Sequence, residues 1–158
     1  QIVILNVGGV LEQAAAPEEM LRSPANDFVA DFLGQERGLK RLGLLTVGDT
    51  ELVDGPVVGT EAVAEDARRV MDEHHVDWVG VVDGRRLLGW VDVEHLNGST
   101  MGDADLRPFA ASVTPDAGLR EALDVIVGAR TRVAVVQDGD DAYLGMLTID
   151  QIAGGLED

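Results

Sequence analysis

At 158 residues the chain is long enough to bury a core of its own, and the absence of cysteine excludes a disulfide scaffold, thiol catalysis and Cys-zinc sites. Its 29 acidic against 12 basic residues give a formal charge of −17, which opposes nucleic acid and anionic lipid, because the basic clusters (Arg37 with Lys40 and Arg41; Arg130 with Arg132) are short and diluted by carboxylates. No apolar run reaches the roughly 20 residues of a membrane span and no secretion signal opens the chain, so the sequence predicts a soluble, cytoplasmic piece without direct membrane insertion.

The chain begins at Gln1 and enters the apolar run Ile2-Val3-Ile4-Leu5 at once, which reads as a segment cut from a longer protein. That run and Val10 to Gln13 flank Asn6-Val7-Gly8-Gly9, whose glycines suit a tight turn, so a hairpin is expected. Pro17 opens a helix through Arg22, and Ser23-Pro24 interrupts it. Asn26-Asp27 caps a second helix with Phe28, Val29, Phe32 and Leu33 on one side, and Gly34 ends it. A basic turn from Arg37 to Arg41 and an apolar run from Leu42 to Val47 then lead to the polar boundary Gly48-Asp49-Thr50-Glu51.

Beyond this boundary the chain repeats itself. The stretch from Val58 through Leu96 can be laid on that from Val113 through Ile152 with an offset of about 55 residues, and the small indels fall in connections. Each copy offers a helix with one apolar face (Ala64, Ala67, Met71; Leu119, Ala122, Leu123, Ile126), then a Val-rich strand from Trp78 or Val133. Asp83-Gly84, or the run from Asp138 to Asp141, makes a hairpin into the next strand, Leu87 to Val91 or Tyr143 to Leu147. A closing helix follows, capped by Asp92 in the first copy and by Thr148 with Gln151 in the second. One such unit cannot cover its own sheet, so two are expected to stack.

Helix, Val-rich strand, glycine-containing strand and short closing helix, twice over, resemble a tandem pair of CBS motifs. The earlier segments, Gly8-Gly9-Val10-Leu11-Glu12-Gln13, Pro17-Glu18-Glu19-Met20-Leu21, Pro24-Ala25-Asn26-Asp27-Phe28-Val29 and Phe32-Leu33-Gly34-Gln35-Glu36-Arg37, resemble the end of the ATPase domain in ABC transporters for quaternary amines such as glycine betaine, carnitine and choline. The resemblance implies an α+β fold of two βαββα-type repeats with pseudo-twofold symmetry, behind a hairpin-plus-helices tail. The implied division is 1–50 for the tail and connector, 51–103 for the first repeat and 104–158 for the second. It also implies that the ATP-hydrolysing motifs lie upstream. No G-x-x-x-x-G-K-[ST] occurs in this sequence, so no catalytic residue is assigned.

Candidate ligand-binding residues are Trp78, Asp92, His95, Thr114, Arg130, Arg132, Thr148 and Gln151. CBS pairs that hold adenine nucleotides place an Asp three residues after the Thr or Ser that ends the last strand. Here His95 follows Asp92 and Gln151 follows Thr148 at that spacing, while Glu94 and Asp150 sit one residue early, about 100° away on a helix. Thr148 and Gln151 retain hydrogen-bonding capacity. Trp78 either stacks on an adenine or packs between sheet and helix; Arg130 and Arg132 either meet phosphates or pair with carboxylates. In His74-His75 with Asp77 the adjacent histidines rarely face one ion and spacing places no third ligand, and Asp138-Asp140-Asp141 lacks the Glu that closes a calcium loop, so no metal is assigned.

The functional expectation is a regulatory domain that forms a homodimer through its CBS repeats. Its other partners are the parent ATPase domain and the membrane subunits of an osmoprotectant importer, at the inner face of the cell membrane. It requires no cofactor and senses either ionic strength or an adenine nucleotide or cyclic di-AMP.

Overall fold

In the computed structural model, which describes residues 1–34, 37–96 and 99–157, β-prone residues pair at the N-terminus. Strand β1 (Ile2–Leu5) runs antiparallel to β2 (Leu11–Ala15) through a turn in which Gly8 and Gly9 hold φ of +87° and +79°. The second strand thus starts one residue later than expected and continues to Ala15. Helix α1 (Pro17–Arg22) carries proline at its first position, where a missing N–H costs no helical bond. In α2 (Asp27–Leu33) the Asn26 side chain accepts a hydrogen bond from the Val29 amide at 2.9 Å, as its cap position predicts. Val29 joins Ile4, Ala15 and Met20 in a small core, with Leu33 against it. Phe28 and Phe32 do not share that face: each stands one residue, about 100°, round the helix from its buried neighbour and is exposed.

The expected basic turn is a helix, α3 (Arg37–Leu42). Leu, Lys and Arg are good helix formers, and the segment gains contacts with α1 and with two helices of the second repeat.

The repeats have the same topology. In the first, β3 (Val57–Gly59) lies parallel to β4 (Trp78–Asp83), with helix α4 (Ala64–His74) as the crossover, and β4 turns into antiparallel β5 (Arg86–Asp92). In the second, β6 (Ser112–Val113), helix α5 (Leu119–Gly128), β7 (Ala134–Gln137) and β8 (Tyr143–Leu147) do the same, and each hairpin carries its irregularity at the same place, Val81/Val82 and Val136/Gln137. Helix periodicity selects the buried faces: Ala67 and Met71 in one copy, Leu119, Ala122 and Ile126 in the other.

The copies differ at their ends. The second closes with α6 (Ile149–Glu157), whereas in the first the described residues after β5 form a 3-10 turn, Val93–His95. Asn-Gly-Ser follows Leu96 in the sequence, residues that disfavour a helix interior, although Asn97 and Gly98 lie outside the described residues. A second 3-10 turn, Met101–Asp103, then drives Met101 into the first repeat's core.

The repeats also cross. The segment before the first sheet bridges the last strand of the second, with Val53 N–H donating to the Met146 carbonyl at 3.0 Å and the reverse bond at 2.7 Å. Arg107, ahead of the second sheet, exchanges the equivalent two bonds with Trp90 in β5, both 2.8 Å. Gly89 and Gly145, at φ of +157° and +148°, lie under these crossings. A Cβ on Gly89 would stand 2.6 Å from the Arg107 carbonyl oxygen, and one on Gly145 3.0 Å from that of Val53. Between the sheets Trp78, Trp90, Val133 and Met146 form a joint core, with Phe109 and Tyr143 at its margin. No helix among the described residues is long and apolar enough to cross a membrane.

Candidate functional site

The crossing brings two turns together. His75 ends α4 in the left-handed region (φ +54°), and Val76-Asp77 lead from it into β4; in the other repeat Arg130 to Arg132 lead from α5 toward β7, with Arg132 at φ +57°. A cleft of about 530 Å³ lies between His75–Trp78 on one side and Arg130–Arg132 on the other.

Three of the candidate residues therefore meet here. Arg130 donates to both carboxylate oxygens of Asp77, at 3.2 and 2.5 Å, in an ion pair whose two side chains are about half exposed. These bonds hold the Asp77 carboxyl below the ordinary carboxylate range and raise Arg130 in turn. Arg132 donates to the Val127 carbonyl at the end of α5. Trp78 is only 2% exposed, and its indole meets Phe109 edge-on, centroids 5.7 Å apart at 78°. It belongs to the core between the sheets while also contributing to the lining of the cleft.

Asp92 stands opposite Trp78 across the β4–β5 ladder. Its Oδ1 accepts from the His95 amide at 3.1 Å and contacts the His95 ring, while Oδ2 pairs with Arg107 at 3.0 Å. The His95 hydrogen bond first, then the His95 and Arg107 charges, pull the Asp92 carboxyl below its usual range, against the opposing effect of burial. Arg107 also lies over the Trp90 ring, 5.2 Å from its centroid, and sequence reasoning did not single it out. A signal existed: Leu106-Arg107 matches Leu52-Val53 at nearly the offset of the repeats, and both pairs are crossing points.

Thr148 and Gln151 form a separate group. The Thr148 hydroxyl bonds to the Gln151 side chain, and the Gln151 amide lies 3.5 Å from that hydroxyl, a loose cap at the start of α6. Gln151 also lines a cavity of about 380 Å³ facing Asp49–Glu51. Thr114 stands apart from both groups. It is exposed, and its hydroxyl bonds to Asp116, lowering that carboxyl. The eight candidates thus form an inter-repeat group (Trp78, Asp92, His95, Arg130, Arg132), a helix-start pair and one outlier. His74 and His75 gather no ligand set, and the described residues contain no cluster of acids and histidines arranged for a metal.

Residues 104–158 match the family model for the CBS domain. The chain is 31% identical over 148 residues to the osmoprotectant import ATP-binding protein OsmV of Salmonella typhimurium, covering 92% of this chain and 39% of that one. It is 32% identical over 155 residues to the glycine betaine/carnitine/choline transport ATP-binding protein OpuCA of Bacillus subtilis, covering 94% and 40%. The chain thus spans about two fifths of the length of these relatives. Among solved structures, the CBS-pair protein CBSX2 of Arabidopsis thaliana superposes with a TM-score of 0.59 at 23% identity, over 70% of this chain and 92% of that one.

Proposed function

From a chain that belongs to the CBS-pair proteins and is homologous to the C-terminal part of osmoprotectant-import ATP-binding subunits, we propose a regulatory domain that adjusts the activity of such a subunit and performs no hydrolysis itself. The observation that carries this reading is the duplicated, mutually crossed fold, in a chain related over nearly its whole length to those subunits. In this reading the domain lies at the cytoplasmic face of the membrane, bound to its ATPase domain and, through it, to the transporter's membrane subunits. It pairs with a second copy of itself.

The signal is ionic strength. Two modules of formal charge −17 repel when they face each other. Salt shortens the range of that repulsion from about 10 Å at 0.1 M to about 3 Å at 1 M, so it favours the closed pair. Sedimentation of the chain across this range tests the reading: self-association rises with salt, and an unchanged association state removes salt sensing by this route.

A second reading draws on the inter-repeat cleft, whose lining includes Arg130 and Arg132, side chains of the kind that bind the phosphates of an adenine nucleotide or of cyclic di-AMP. Against it, Asp77 already occupies Arg130, and His95 and Gln151 cannot supply the carboxylate that accepts from a ribose. Calorimetric titration with cyclic di-AMP, AMP and ATP separates the two readings. A ligand that binds only the folded state must raise its thermal midpoint, and the absence of heat and of stabilisation with all three rejects the second.

A further inference from the structure

Arg41 is the most deeply buried charged residue among those described, 6% exposed, although its sequence neighbourhood reads as a basic turn. Helix α3 carries it between the N-terminal unit and the second repeat. Its Nε and one terminal nitrogen donate to the Glu18 carboxylate of α1, at 3.2 and 2.9 Å; the other terminal nitrogen donates to the carbonyl of Leu156 in the last turn of α6. The last carbonyls of a helix lack partners within it and form the negative end of its dipole, so a guanidinium there meets both needs. The planar fork of arginine holds the two acceptors in a fixed relation, as the single ammonium of lysine does not. Next to Arg41, Leu42 enters the core of the second repeat, beside Ile152 of α6. The other end of α6 starts at the Thr148–Gln151 cap, and its nine residues span roughly 13 Å at 1.5 Å per residue.

We propose that Arg41 is a positioning residue that joins α6 to α1, so that a disturbance at the Thr148 end of α6 is felt in the N-terminal hairpin-and-helix unit. If either helix moves away, a buried guanidinium loses an acceptor while still shielded from water, and that penalty keeps the two helices docked together or releases them together. The coupling goes beyond the regulatory role above and is independent of which signal the repeats read.

Native-state hydrogen exchange on the intact chain tests it. Arg41→Met keeps an apolar stem and removes the fork; exchange at the Met20 and Ser23 amides of the α1 turn and at the Ile152 amide of α6 accelerates together, on the order of tenfold to a hundredfold, while the β4–β5 ladder is unchanged. Thr148→Val, which removes the cap of α6, accelerates exchange in α6 and α1 in the parent chain, but in α6 alone when Arg41 is already Met. Glu18→Gln leaves the bond to Leu156 in place, produces the same paired effect at smaller amplitude, and serves as the test if Arg41→Met does not fold. Uniform acceleration across the chain, or an effect of Thr148→Val on α1 that is absent from the parent or equal in both backgrounds, overturns the proposal.

Discussion

Replacing Gly89 with alanine attacks the crossing of the two repeats where backbone blocks the new methyl group. The new Cβ would lie 2.6 Å from the Arg107 carbonyl oxygen and 3.1 Å from the Leu106 Cβ, on a backbone whose φ of +157° L side chains rarely adopt. The obstacle includes backbone, so the crossing segment must move. Strain at an unfavourable backbone conformation costs about 1–3 kcal/mol. Weakening the two Trp90–Arg107 bonds, both 2.8 Å in the parent, adds about 0.5–1.5 kcal/mol for each. A total loss of about 2–6 kcal/mol follows, or roughly 10 °C in thermal midpoint at 2–4 °C per kcal/mol for a chain of this size. Gly145→Ala meets Leu52 Cβ and the Val53 oxygen at 3.0 Å and should cost less, while Gly139→Ala, with open space around it, is the neutral control. Urea unfolding of the three variants gives the ranking through midpoint and slope. A Gly89→Ala protein within about 0.5 kcal/mol of the parent, or one more stable than Gly145→Ala, refutes the crossing as the rigid joint of the module.

Trp78→Ala removes a ring that is 2% exposed from the core between the sheets and is expected to cost about 3–5 kcal/mol in urea unfolding, whatever its effect on ligands. The Asp92 carboxyl is depressed in the folded state, so its contribution to stability is fully present above the ordinary Asp value of about 4 and is lost as pH falls through the lower folded value. Asp92→Asn should therefore flatten the acid side of the stability profile below about pH 4, and an acid limb identical to the parent's would show that the His95 and Arg107 contacts do not stabilise the charged form.

The local chemistry of the chain was legible in its order of residues. Asn26 caps α2 because its side chain sits where a helix has unpaired amides, and Ala67 with Met71, or Ala122 with Ile126, face inward because a period of 3.6 residues leaves them no other common side. The internal echo likewise fixed the topology of both sheets, since near-identical patterns bury their apolar faces in the same way. All five residues of the inter-repeat group were singled out within their own repeats (Trp78, Asp92, His95, Arg130, Arg132), yet nothing local indicates that Arg130 reaches Asp77 or that Arg107 closes on Asp92. Those pairs and the burial of Trp78 against Phe109 were decided by tertiary structure alone, and the helix Arg37–Leu42 draws on contacts with α1, α5 and α6 as well as on local propensity. The physical reason is range: caps and periodicity act within a few residues, whereas a charge finds a partner in the other repeat only after the chain has crossed on itself.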